Sequence, residues 1–216
     1  MHKKFDAQLD IDILKVNSEI SEGNLNKFEE ANVKAFDFMG AIGSGKTLLI
    51  EGLIDLLKPS GIRCGVIAGD VAGDDDYKRF KSHDVTVTSI TTGKECHLDA
   101  HMIEHQLEEL DLSQLDVLFI ENVGNLVCPS DFPLGTQKRV VVISVTEGDD
   151  MVRKHPVIFG HADVIVINKI DISEAVEVDI DVILSDAKKI SPHTPIVCTD
   201  AKHGQGLEEL RSKLGL

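Results

Sequence analysis

Gly40-Ala41-Ile42-Gly43-Ser44-Gly45-Lys46-Thr47 decides the fold. It stands between a short apolar run, Ala35–Met39, and a longer stretch of helical periodicity, Lys46–Leu57. The pattern G-x-x-x-x-G-K-S/T in a strand-to-helix turn points backbone N–H groups at phosphate, and the helix N-terminus adds partial positive charge. Gly40, Ala41, Ile42, Gly43, Ser44 and Gly45 form the cradle. Lys46 is placed to reach the β- and γ-phosphates, and the Thr47 hydroxyl to ligate Mg²⁺.

Outward from this loop, short β-branched runs recur at Gly65–Ala68, Val85–Ile90, Val117–Ile120, Val140–Val145, Val164–Ile167 and Ile196–Cys198. They are bounded by Gly, Asp or Asn, as buried parallel strands are. Helical periodicity fills Leu98–Leu110, Asp179–Lys189 and Leu207–Leu214. The expected fold is α/β: a three-layer α/β/α P-loop NTPase with a mainly parallel sheet, and ligands beyond the C-terminal strand ends. It spans residues 33–216. Residues 1–32 form a helical arm, in which Leu9, Ile13, Val16 and Ile20 predict an amphipathic helix ending near Gly23. That helix is expected to pack on the domain or on a second chain.

A net charge of −15 over 216 residues argues against sequence-general nucleic-acid binding and against an anionic membrane surface. With 8 Phe, 1 Tyr and no Trp there is no base-stacking platform. No apolar run approaches a membrane span, and no apolar segment follows Lys3-Lys4 as in a secretory signal. A cytoplasmic location is expected, in which the four cysteines stay reduced.

Asn168-Lys169-Ile170-Asp171 closes the Val164–Ile167 run. A carboxylate at Asp171 accepts both guanine N1–H and the exocyclic amine, a pattern adenine reverses, so GTP is the expected nucleotide. The Lys169 stem covers a base face and Asn168 ties this loop to the phosphate loop. Ala201 and Lys202 sit where GTPases carry a Ser-Ala-Lys loop at the guanine oxygen, with Asp200 in the place of the serine. Glu121 and Gly124 end the Val117–Ile120 run. They fit an acid near Mg²⁺ and a Gly N–H that senses the γ-phosphate. Asp70 and Asp76 are further Mg²⁺ candidates, within an Asp70–Asp76 loop whose Asp74–Asp76 run reads mostly as solvated acid. Lys46, Asp76 and Glu121 are the expected catalytic groups. The glutamine that signalling GTPases place after the glycine is replaced by Asn125.

Cys96, His97 and His101 open the Leu98–Leu110 segment, and Cys128 follows the Glu121–Gly124 loop. Thiolate with imidazole suits nickel or zinc rather than Mg²⁺. On spacing alone, a buried thiol beside a surface histidine is an equally open reading. Cys64 and Cys198 lie in strand patterns and read as core thiols, and the remaining histidines as surface or structural.

Together these residues resemble the HypB family, GTPases that help insert nickel into NiFe-hydrogenase. The resemblance runs from Val33 to Leu214 and is most specific at Thr92–Met102, Phe119–Pro129 and Val145–Asp150. It implies a metal site of Cys96, His97 and Cys128 at a dimer interface, with His101 a further ligand in some members, and it supports Asp76 near Mg²⁺. The partners it implies are a second copy of the chain, a HypA-type nickel chaperone and the hydrogenase large-subunit precursor. The Cys-rich or His-rich N-terminal nickel tract of some members is missing: residues 1–34 hold no Cys and one His. The alternatives are a urease-type or cobalamin accessory GTPase, or a regulatory GTPase with structural cysteines.

Overall fold

The computed structural model describes residues 2–71, 73 and 75–216, with side chains from residue 11 onward. Asp74 and the Leu9 side chain, both named above, lie outside the described residues. Seven strands form one sheet: β1 (Lys34–Gly40), β2 (Cys64–Asp70), β3 (Thr86–Thr91), β4 (Val117–Glu121), β5 (Lys138–Ser144), β6 (Val164–Asn168) and β7 (Ile196–Thr199). Their order is β3-β2-β4-β1-β5-β6-β7, and every pairing is parallel. A strand covered on both faces reads as a continuous apolar run, and β4 and β6 are buried at every position.

The helices are α1 (His2–Glu30), α2 (Lys46–Leu57), α3 (Asp75–Lys81), α4 (Ala100–Glu109), α5 (Met151–Lys154), α6 (Pro156–Gly160), α7 (Ile180–Ile190) and α8 (Leu207–Leu214). Alternation along β1 sends Phe36 and Phe38 to one face, against α2 and α8 residues such as Leu53 and Leu210. Ala35 goes to the other face with Phe28 of α1 and Ile103 of α4, and Met39 joins Phe159 and Ile183 there. The three-layer α/β/α P-loop NTPase architecture is therefore observed. No helix among the described residues is long and apolar enough to cross a membrane.

Two expectations change. The acidic stretch expected as a loop to Asp76 turns helical at Asp75, where Asp75 and Asp76 occupy the first turn. Carboxylates there face the positive end of the helix, which offsets their poor helix propensity. The second change is α1, which continues through Gly23 to Glu30. Of its apolar stripe, Ile13 is 47% exposed and Val16 54%, while Ile20 is half-buried. The docked positions are Asn17, Ser21, Asn24 and Phe28, all buried. Asn17 Oδ1 accepts from the Ala100 N–H at 2.8 Å and its Nδ2 donates to the Pro133 carbonyl at 2.9 Å. Asn24 Nδ2 donates to the Ala100 and Leu134 carbonyls at 2.8 and 3.1 Å. Buried backbone groups need partners, and two asparagines seven residues apart supply them at the start of α4.

Candidate functional site

The phosphate loop leaves β1 at the centre of the sheet and enters α2. Gly45 takes φ 98° and lies against the Asn168 side chain, so a Cβ there meets both a strained backbone and the Asn168 amide. Lys46 Nζ donates across the loop to the Gly40 and Ala41 carbonyls at 3.0 and 3.1 Å. Its burial disfavours the ammonium and lowers its pKa, against the nearby carboxylates led by Glu121. A cleft of ≈ 520 Å³ opens beside the loop, walled by Lys46, Thr47, Asp76, Arg79, Glu121 and Gly124.

The Thr47 hydroxyl lies 2.8 Å from Glu121 Oε1 and 3.1 Å from Asp76 Oδ1. Glu121 sits on the buried end of β4, and burial pushes its carboxyl up to about 7 despite the Lys46 charge. Its Oε2 is buried without a hydrogen-bond partner. A hydroxyl and two carboxylates, one with an orphaned buried oxygen, form a hard, all-oxygen donor set that fits Mg²⁺. Asp70 lines the same cleft, and its Oδ1 accepts from the Val71 N–H at 2.6 Å.

On the other side of the loop, Asn168 Nδ2 donates to the Ser44 carbonyl at 2.9 Å, and Lys169 Nζ to the Gly43 carbonyl at 2.7 Å. Asn168 Oδ1 accepts from Thr199 Oγ1 at 3.0 Å and from the Ala201 N–H at 3.2 Å. One asparagine thus joins the phosphate loop, β6 and β7. A pocket of ≈ 240 Å³ results, lined by Asn168, Lys169, Asp171, Ala201 and Lys202. Asp200, the residue that departs from the usual serine, is buried and pairs with the His203 ring.

Cys96 and Cys128 approach to 2.8 Å between sulfurs, and Cys96 Sγ lies 3.9 Å from His97 Nδ1. The three ligand atoms all fall within 4.8 Å of one another. His97 stacks on Phe132 with 3.9 Å between ring centroids. Burial lowers the His97 pKa and so favours the neutral ring that a metal needs. The Cys96 thiol is raised, first by its hydrogen bond to Cys128. The structure does not bring His101 into this cluster. Its Nε2 lies instead 3.2 Å from Nε2 of His105, which the sequence reading set aside as a surface residue. The four-residue spacing of these histidines on α4 was the available signal. Burial pushes Cys64 up to about 12 and also raises the half-buried Cys198, as core thiols.

Comparison with known proteins identifies the family. The family model "CobW/HypB/UreG, nucleotide-binding domain" matches residues 35–198. The "Probable hydrogenase maturation factor HypB" of Methanocaldococcus jannaschii is 53% identical over 199 residues, covering 92% of this chain and 90% of that one. The crystal structure of HypB from Archaeoglobus fulgidus superposes with a TM-score of 0.85 at 48% identity, covering 93% of this chain and 99% of that one. HypB from Helicobacter pylori in complex with nickel gives 0.86 at 35% identity, covering 92% and 93%. The chain belongs to the CobW/HypB/UreG nucleotide-binding family, within its HypB group.

Proposed function

We propose that this chain is a GTP-hydrolysing metallochaperone that delivers nickel during NiFe-hydrogenase maturation, from a metal site shared across a GTP-dependent dimer. The observation that carries the reading is the Cys96-His97-Cys128 cluster, in which Cys96 and His97 come from the segment after β3 and Cys128 from the segment after β4 that also carries Gly124 to the phosphate cleft. Its neighbours in sequence and structure support nickel as the cargo: relatives are named hydrogenase maturation factors, and one solved HypB holds nickel. Zinc fits the same donors.

Lys46 serves the transferring phosphate, and Thr47, Asp76 and Glu121 hold Mg²⁺, which neutralises developing charge when bound. Gly124 has no room for a side chain because Ile42 of the phosphate loop fills the space where a Cβ would stand. Its N–H is thereby available to a γ-phosphate. Asp171 selects guanine, while Ala201 and Lys202 close the base pocket. With one subunit supplying three donors, a second copy completes a four-donor set, and a two-fold axis makes the same patch face itself. Hydrolysis then alters that shared geometry and favours transfer to a HypA-type chaperone or the hydrogenase large-subunit precursor.

Nickel affinity and oligomeric state, measured together in GDP and in a non-hydrolysable GTP analogue, test the reading. A nickel-loaded dimer favoured by the analogue is the expected result. Nickel binding to a monomer with equal affinity in both states contradicts it.

A further inference from the structure

Asn125 makes three hydrogen bonds to three different parts of the site. Its backbone N–H donates at 3.0 Å to the carbonyl of Gly40, the first residue of the phosphate loop. Its side-chain Nδ2 donates at 3.1 Å to the Cys96 carbonyl. Its Oδ1 accepts at 2.9 Å from the N–H of Val127, the residue before Cys128. The residue ahead of it, Gly124, is pressed on Ile42 of the phosphate loop. A short carboxamide suits this, because its NH₂ donates and its oxygen accepts from a single plane. It stands where signalling GTPases carry a glutamine, and it spans the Cys96 carbonyl and the Val127 N–H.

Three residues earlier, Asn122 is fully buried and faces the sheet. Its Oδ1 accepts from the N–H groups of Leu98 and Val123 at 3.1 and 3.0 Å, and its Nδ2 donates to Asp37 Oδ1 of β1 at 3.1 Å. The metal-bearing segment is therefore suspended from two asparagines. Leu98, just after His97, is fixed to the sheet interior, whereas Cys96, just before it, is fixed to the loop that meets nucleotide. A shift of the Gly124–Asn125 turn relative to the sheet moves Cys96 and Val127 together and leaves Leu98 behind.

We propose that Asn125 is the positioning residue through which the phosphate loop sets the placement of both thiols, Cys96 and Cys128. The inference rests on the metal-and-GTP reading above and adds the residue that couples the two sites. Its test is a nickel titration of wild type, Asn125→Ala and Asn125→Asp, each with Mg²⁺ and either GDP or a GTP analogue, followed by the thiolate-to-nickel absorption band. Coupled sites typically change each other's affinity about 5–150-fold. Wild type should show a ratio in that range, and in Asn125→Ala the ratio should fall to about 1 while nickel still binds. Asn125→Asp keeps the acceptor for Val127 and loses the donor for Cys96, so it should lose most of the ratio as well. A variant that keeps the wild-type ratio overturns the proposal alone. Equal weakening in both nucleotide states marks Asn125 as a static prop and also overturns it. Wild-type protein with no nucleotide dependence overturns the coupling reading itself, and this inference with it.

Discussion

On the proposed reading, Asp171 carries the choice of base by accepting two hydrogen bonds from guanine. Replacing it with asparagine reverses one donor–acceptor pair, so Asp171→Asn should lose GTP affinity and gain xanthine nucleotides. Unfilled polar groups at such a site discriminate by about 10⁴-fold or more, and competition binding with GTP and XTP reads the switch directly. Asp37, beneath the cleft, is wholly buried, and burial pushes its carboxyl from the ordinary 3.8 up to about 6. Between those values the folded chain holds a proton that the unfolded chain has lost. Stability therefore falls as pH rises through that window and stays reduced above it. Two pK units correspond to about 3 kcal/mol, so Asp37→Asn should be more stable than wild type by about 1–3 kcal/mol at pH 8, with the difference vanishing near pH 4. Denaturant titrations at the two pH values check the sign. Neither Asp37 nor Asn122 was legible as important in the sequence, because each looks like one isolated polar residue, Asp37 inside the Ala35–Met39 run and Asn122 just past the Val117–Ile120 run. The phosphate loop, Asn168 and Asp171 were legible because their chemistry needs fixed spacings.

At the level of elements, α1 shows how hydropathy periodicity misleads. Its apolar stripe marked the helix but not the residues that hold it on the domain, because asparagines that satisfy backbone groups carry no hydrophobic signal. The ranking of substitutions follows the contacts. Asn24→Ala strips partners from the buried Ala100 and Leu134 carbonyls and should cost about 1–3 kcal/mol. Val16→Ser, on the exposed stripe, should stay within about 0.5 kcal/mol. Urea midpoints of the two variants test this, and a larger loss at Val16 would contradict the described docking. The seven strands were readable from their β-branched runs: β4 and β6 are buried at every position, and the partly buried edge strands β3 and β7 still show such runs. Helix α3 was not, because Asp-Asp at its start looks like a solvated turn until the charge at a helix N-terminus is taken into account.

For the whole molecule, the shared-site proposal makes assembly and metal uptake one equilibrium. Cys128→Ala should abolish nickel-promoted dimerisation while leaving the GTP cleft chemically complete. Sedimentation of wild type and variant with nickel, in GDP and in a GTP analogue, decides it: a variant that dimerises as wild type does shows that Cys128 is not an interfacial ligand. The donor cluster itself was only half legible. Cys96, His97 and Cys128 could be named from sequence, but that β3 and β4 bring their loops together depends on strand order, and the His101–His105 pairing depends on side-chain rotation about α4.

The position of β1 in the sheet has a further consequence. The strands to one side of it, β4, β2 and β3, deliver Glu121, Asp76, Cys96 and Cys128, while those to the other side, β5, β6 and β7, deliver Asn168, Asp171 and Ala201. The two wings meet at the phosphate loop that β1 carries and again where Leu126, after β4, packs on Ile143 and Ile158. On the proposed reading, the base pocket and the thiol cluster stand on opposite wings, so base choice and cargo are separately editable traits, like a key blade and its bow on one shank. A graft of a different nucleotide preference onto the β6–β7 wing leaves the thiols in place, and a change of cargo on the β3–β4 wing leaves the base pocket intact.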